Sequence, residues 1–141
     1  MDEPYLSSLG LALFVFARLE WEAVYLVEII YGRKHNPASI TGYVGSVGAK
    51  TAGQIANDLT QAVAGMSDAK LKAAVEPHAV EFARLVRRRN DLMHANPATA
   101  PNGDQRLFRH GSQWTIPEVD DLADEFSACQ IEMNDLHHKV L

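Results

Sequence analysis

The chain has one cysteine, Cys129. That excludes an internal disulfide and any metal site built from several thiolates, and it suits a reducing compartment, the cytoplasm. Long apolar runs are also missing. Within the most apolar segment, Pro4 to Tyr31, the longest stretch without a charge, Pro4 to Ala17, has 14 residues, whereas a membrane-spanning helix needs roughly 20. Arg18, Glu20, Glu22 and Glu28 then interrupt the pattern. A signal peptide would open with basic residues, but Asp2 and Glu3 stand there. The expectation is that no membrane is involved. A basic surplus is absent too, since 13 Lys+Arg face 18 Asp+Glu for a formal net charge of −5. Nucleic acid therefore cannot be held by a generally positive surface, and any contact with it must be local. The six histidines include no helical i, i+4 pair and have no cysteine cluster beside them. No metal site and no cofactor are implied.

What the chain does have is apolar substance, 47% hydrophobic residues in 141. That is enough for the single core of one domain spanning 1–141. The apolar residues crowd into the first thirty positions, read as one helix from Pro4 to Tyr31. One stripe of this helix carries Leu11, Val15, Tyr25 and Ile29 beside Arg18 and Glu22; another carries Leu9, Leu13, Phe16, Ala17, Val24, Val27 and Tyr31 around Glu20. A helix apolar on every side cannot be wrapped by three neighbours in so small a domain. Its surplus face is expected to meet a second copy of the chain in a homodimer.

From Gly32 to Gly48 the pattern dissolves into a long Gly-rich loop, with Asn36-Pro37 and glycines at 42, 45 and 48. Lys50-Thr51 superficially resembles the end of a phosphate-binding loop, but Ala49 interrupts the glycine–lysine pair and no strand precedes it. A second helix is expected from about Ala49 to Ala64. A third follows from the Ser67-Asp68 cap to about Ala95, either kinked at Pro77 or begun afresh near it. Residues from Asn96 to Gln105 read as a link. Arg106 to Arg109 and Gln113 to Thr115 flank His110-Gly111-Ser112 as a short hairpin. Thr115 with Glu118 is a capping-box signature, and Pro117 fits the first turn of the last helix. Val119, Leu122, Phe126, Cys129, Met133, Leu136 and Val140 then form a narrow seam. The expected architecture is all-α: an up-and-down four-helix bundle with one long loop after helix 1 and a short β-hairpin before the last helix.

The third helix carries the chemistry. Arg84, Arg87, Arg88 and Arg89 fall within six positions, but they are not equivalent. At about 100° per residue, Phe82, Leu85, Val86, Leu92 and Met93 all lie within about 60° of Arg89. The other three arginines point away with Asp91 toward solvent. An unpaired buried guanidinium costs several kcal/mol, so Arg89 needs a carboxylate, a phosphate or a water-filled cleft. Glu20, equally misplaced on its own helix, is a candidate partner. Asn90 and His94 form an i, i+4 pair at the edge of the same arc. By itself His94 also reads as a C-terminal cap favoured by the helix dipole.

Arg89-Asn90-Asp91-Leu92-Met93-His94 resembles the R-N-x-x-x-H form of the R-x(4–6)-H motif of the HEPN superfamily, small helical domains of toxin–antitoxin and phage-defence systems. The motif lies at the end of a helix just before a loop, as in that family. The resemblance implies a metal-independent endoribonuclease in which two motif copies face each other across a homodimer cleft. In that reading Arg89 holds the scissile phosphate, His94 moves protons, and Asn90 orients the histidine or the substrate. Glu20 supports Arg89. Arg87 and Arg88, with Arg106 and Arg109 further off, steer RNA. Some members of the family are catalytically silent, so a helical dimer that binds RNA, a nucleotide or an antitoxin-like partner protein stands as the alternative.

Overall fold

The computed structural model describes residues 2–32 and 50–141. Most of them are helical, and the first helix shows why. Asp2 caps α1 (Glu3–Ile30) by accepting the Tyr5 N–H at 3.0 Å, Pro4 fits the first turn, and Gly32 ends the helix at φ +71°, a left-handed conformation that only glycine adopts cheaply. At 1.5 Å per residue α1 is about 42 Å long. Thr51 and Gln54 cap α2 (Ala52–Ala64) reciprocally, each side chain bonding the other's backbone N–H. This capping box sets the start of α2 three residues later than the apolar spacing alone suggests. Asp68 caps α3 (Ala69–Met93), which runs through Pro77 as one helix. Pro77 lies on an exposed position.

The segment expected to be a link contains a strand. Asn96–Thr99 forms β1 and pairs antiparallel with β2 (Gln105–Arg109), which pairs in turn with β3 (Ser112–Trp114). The expected hairpin is thus two strands of a three-stranded sheet in the order β1-β2-β3. His110 and Gly111 both take positive φ, 52° and 78°, as a two-residue hairpin turn between right-twisted strands requires. All four residues of β1 are exposed, and Pro97 faces Leu107 across the ladder. Thr115 then caps α4 (Ile116–Lys139), with the Glu118 N–H donated to its hydroxyl at 3.2 Å. The α4 seam is buried from Val119 to Leu136 but not at Val140, which is exposed because the helix ends at Lys139.

One core joins these elements. The widest contact is α1 on α4, while α2 packs on both α1 and α3, and α3 also meets α4 and β2. Phe16 and Phe126 meet edge to face at 5.0 Å between centroids. The sheet is fastened to α1 by Tyr5, whose hydroxyl donates to the Trp114 carbonyl at 2.7 Å and accepts the Leu107 N–H at 3.1 Å. Arg84 links two helices, bonding Glu81 at 2.7 Å on its own helix and Glu125 of α4 at 2.8 Å. It is therefore a structural cation and not a free one. Among the described residues no helix is long and apolar enough to cross a membrane. The apolar excess of α1 is real: Leu6, Leu11, Leu13, Phe14, Trp21 and Tyr25 are exposed, Phe14 by 63%. The Gly-rich loop expected after α1 lies outside the described residues.

Candidate functional site

Arg89, Asn90 and His94 line one cleft of about 660 Å³, together with Glu20 of α1 and the Lys50–Gly53 segment that opens α2. Each wall has a local cause. The last turns of α3 turn Phe82, Leu85, Val86 and Leu92 into the core, and that leaves Arg89 half-buried at the cleft's inner edge. Its guanidinium carbon sits 5.1 Å from the centroid of the Phe16 ring, a cation–π distance. One Nη1–H donates to the Asn90 side-chain oxygen at 3.1 Å. The Nε–H is buried and has no hydrogen-bond partner. An orphaned buried donor on a cation is costly, and an anion in the cleft would offset part of that cost by opposing the guanidinium's charge.

Glu20 reaches the same cleft and is half-buried. No ion pair closes between it and Arg89. Burial pushes the Glu20 carboxyl above its ordinary value near 4.5, and the Arg89 charge pulls it partly back. A carboxyl raised on folding disfavours the folded state when ionised. That penalty is full above the folded pKa and vanishes as pH falls below about 4.5. Glu20→Gln is therefore expected to melt slightly higher than wild type at pH 7, and melting curves recorded at pH 4 should show the gain gone. An equal gain at both pH values would mean that its charge is not what burial penalises.

His94 caps the C-terminus of α3 and is exposed; its backbone N–H bonds the Asn90 carbonyl at 2.9 Å. The Asn90 amide oxygen is engaged by Arg89, so this residue orients the arginine within the chain. Across the cleft, the capping box uses the N–H groups of Thr51 and Gln54. Those of Ala52 and Gly53, in the first helical turn, have no intrahelical acceptor. They add the positive end of the α2 dipole to the wall facing Arg89. Lys50 stands beside them, paired with Asp58 at 2.7 Å. This second wall was not singled out from the sequence, although Thr51-x-x-Gln54 marks its helix start.

Of the remaining arginines, Arg88 and Arg106 differ from expectation, whereas Arg87 faces solvent as its place on the helix predicts. Arg88 lies over the Trp114 indole at 4.8 Å, away from open solvent. Arg106, expected to steer RNA, is buried instead. It pairs with Asp2 at 2.7 Å and Asp104 at 3.5 Å and lies over the Tyr5 ring at 4.5 Å, so no charge is left for a ligand. Arg109 donates to the His94 carbonyl at 3.5 Å. Cys129 is buried on the α4 seam, and burial pushes its thiol up to about 12, which leaves it un-ionised and a poor nucleophile at neutral pH. Compared with family models, curated proteins and solved structures, the chain finds no match.

Proposed function

We propose that this chain is a metal-independent endoribonuclease of the HEPN type. In this reading its helices form an up-and-down four-helix bundle, it works in the cytoplasm as a homodimer, and an antitoxin-like protein restrains it. The observation that carries the reading is the cleft itself, where a guanidinium with an unpartnered Nε–H shares a wall with an exposed imidazole.

The chemistry follows from those groups. A ribose 2′-hydroxyl attacks the adjacent phosphorus while one imidazole takes its proton. The P–O5′ bond breaks, and the leaving 5′-oxygen receives a proton from a second, protonated imidazole. The products are a 2′,3′-cyclic phosphate and a 5′-hydroxyl. Imidazole suits both roles because it titrates near neutrality. Arg89 and the free N–H groups of α2 oppose the charge that builds on the phosphorane. One chain offers one His94, and a second copy seated on the exposed apolar stripe of α1 would supply the other. Gly10 and Ala17 share that stripe with Leu6, Phe14 and Trp21, and space around Gly10 is open to 4 Å, room for a second helix to approach.

One observation favours the alternative, a silent dimer that binds RNA, a nucleotide or a partner protein: the Glu20 carboxylate shares the cleft and weakens its hold on an anion. Labelled RNA incubated with the protein in EDTA separates the two. Cleavage leaving a 2′,3′-cyclic phosphate is the expected result. RNA that is retained but stays intact supports the silent dimer, and cleavage that needs added metal overturns the proposal.

A further inference from the structure

A second cavity, of about 230 Å³, lies between the C-terminal half of α3, the β2–β3 hairpin and the start of α4. Arg88 and Asp91 line it from α3, Arg109 from β2, Gln113 and Trp114 from β3, and Glu118 from α4. These groups do little for one another. The Arg109 Nε–H is buried without a hydrogen-bond partner, the nearest Asp91 oxygen is 4.0 Å away, and its Nη1 reaches the His94 carbonyl only at 3.5 Å. Arg88 stacks on Trp114 and donates a hydrogen bond to no described residue. Convergent polar groups left unsatisfied around a cavity are the mark of a ligand site.

Charge narrows the ligand. Two guanidiniums face two carboxylates, so a phosphate gains little here. A neutral planar group with donors and acceptors along its edge gains most, and such a group is a nucleobase. Guanine fits best, because its O6 and N7 acceptors suit an arginine while the neighbouring N1–H and N2–H donors suit a carboxylate. Those two edges adjoin on the base as Arg109 and Asp91 adjoin in the cavity. Adenine would set its N6 donor against the guanidinium.

We propose that this cavity reads a guanine beside the scissile phosphate: Arg109 donates to O6 and N7, Asp91 accepts from N1–H and N2–H, and the ring lies on the Arg88 guanidinium. The contact of Arg109 with the His94 carbonyl places the cavity next to the turn that carries the imidazole. This inference rests on reading the first cleft as an RNA site, and its test does not need cleavage.

Of the two tryptophans, only Trp114 lines the cavity, so Trp21→Phe makes its emission a clean reporter. Titration with 5′-GMP, AMP, CMP and UMP, which share one phosphate, reads the base alone. GMP is expected to bind about tenfold tighter than the others. Asp91→Asn, with its melting curve checked against wild type, should bring GMP down to their level, and Asp91→Glu should keep part of the preference. Equal affinities, no binding of any nucleotide at millimolar concentration, or a preference that survives Asp91→Asn each overturn the assignment. Metal-independent cleavage without a guanine preference would remove this inference and leave the nuclease standing. Selective GMP binding by a protein that does not cleave would do the reverse.

Discussion

His94→Ala is expected to lower RNA cleavage in EDTA by about 10²–10⁴-fold, the usual worth of a positioned acid or base, while leaving the fold intact. The second half of that expectation makes the first interpretable. His94 is exposed at the end of α3, its cap contact is made by the backbone N–H, and its imidazole hydrogen-bonds to no described residue. Alanine keeps the backbone contact, so denaturation curves should superimpose within experimental error. A single-turnover time course compares the two proteins, with the cyclic-phosphate product followed by chromatography. Cleavage by the variant at the wild-type rate would sink the role given to His94. A mixture of His94→Ala and Arg89→Ala chains adds a sharper readout: if two chains share the cleft, a mixed dimer keeps one Arg89 and one His94 on opposite chains, whereas each parent dimer lacks one of the two groups entirely.

Phe16→Ala is expected to cost about 3–5 kcal/mol of stability, the range for emptying a buried aromatic position. Phe16 is 3% exposed, packs edge to face on Phe126, and carries the Arg89 guanidinium on its ring. Urea denaturation measures the loss as a lower midpoint at unchanged slope. A cost below about 1 kcal/mol would mean that the ring bears none of the packing assigned to it, because even a single buried methylene is worth nearly that. Phe16→Leu separates packing from positioning. It keeps most of the apolar volume and removes the π face, so the protein stays folded while Arg89 loses its platform. If Arg89 holds phosphate as proposed, RNA binding is expected to weaken with a smaller loss of stability than Phe16→Ala shows, which a stability measurement alone would not reveal.

Helix ends were the most legible part of the sequence because a cap is a local event. Thr115 with Glu118, Asp68 and Pro117 act within one turn of their own positions, and the α4 seam from Val119 to Leu136 follows from spacing alone. Arg89 was legible for the opposite reason, as a charge where its helix is otherwise apolar. What spacing could not reveal were partners far along the chain. Asn96 to Thr99 has no alternation and contains Pro97; it is a strand only because β2 lies beside it. Arg106 reads as a free cation until Asp2, more than a hundred residues away, is seen to hold it. The pairing of Arg88 with Trp114 and the approach of the α2 N-terminus to Arg89 depend on packing in the same way.

The small sheet also bears on how the molecule avoids itself. Unpaired strand edges invite other strands, and growth by backbone pairing is the route to aggregation. Here β1 is one edge, and Pro97 in its middle has no N–H to offer an incoming strand. The other edge, β3, is three residues long and runs into the capped start of α4. Both edges of this sheet are thus poor templates, so among the described residues backbone pairing through β1 or β3 is disfavoured as a route to aggregation.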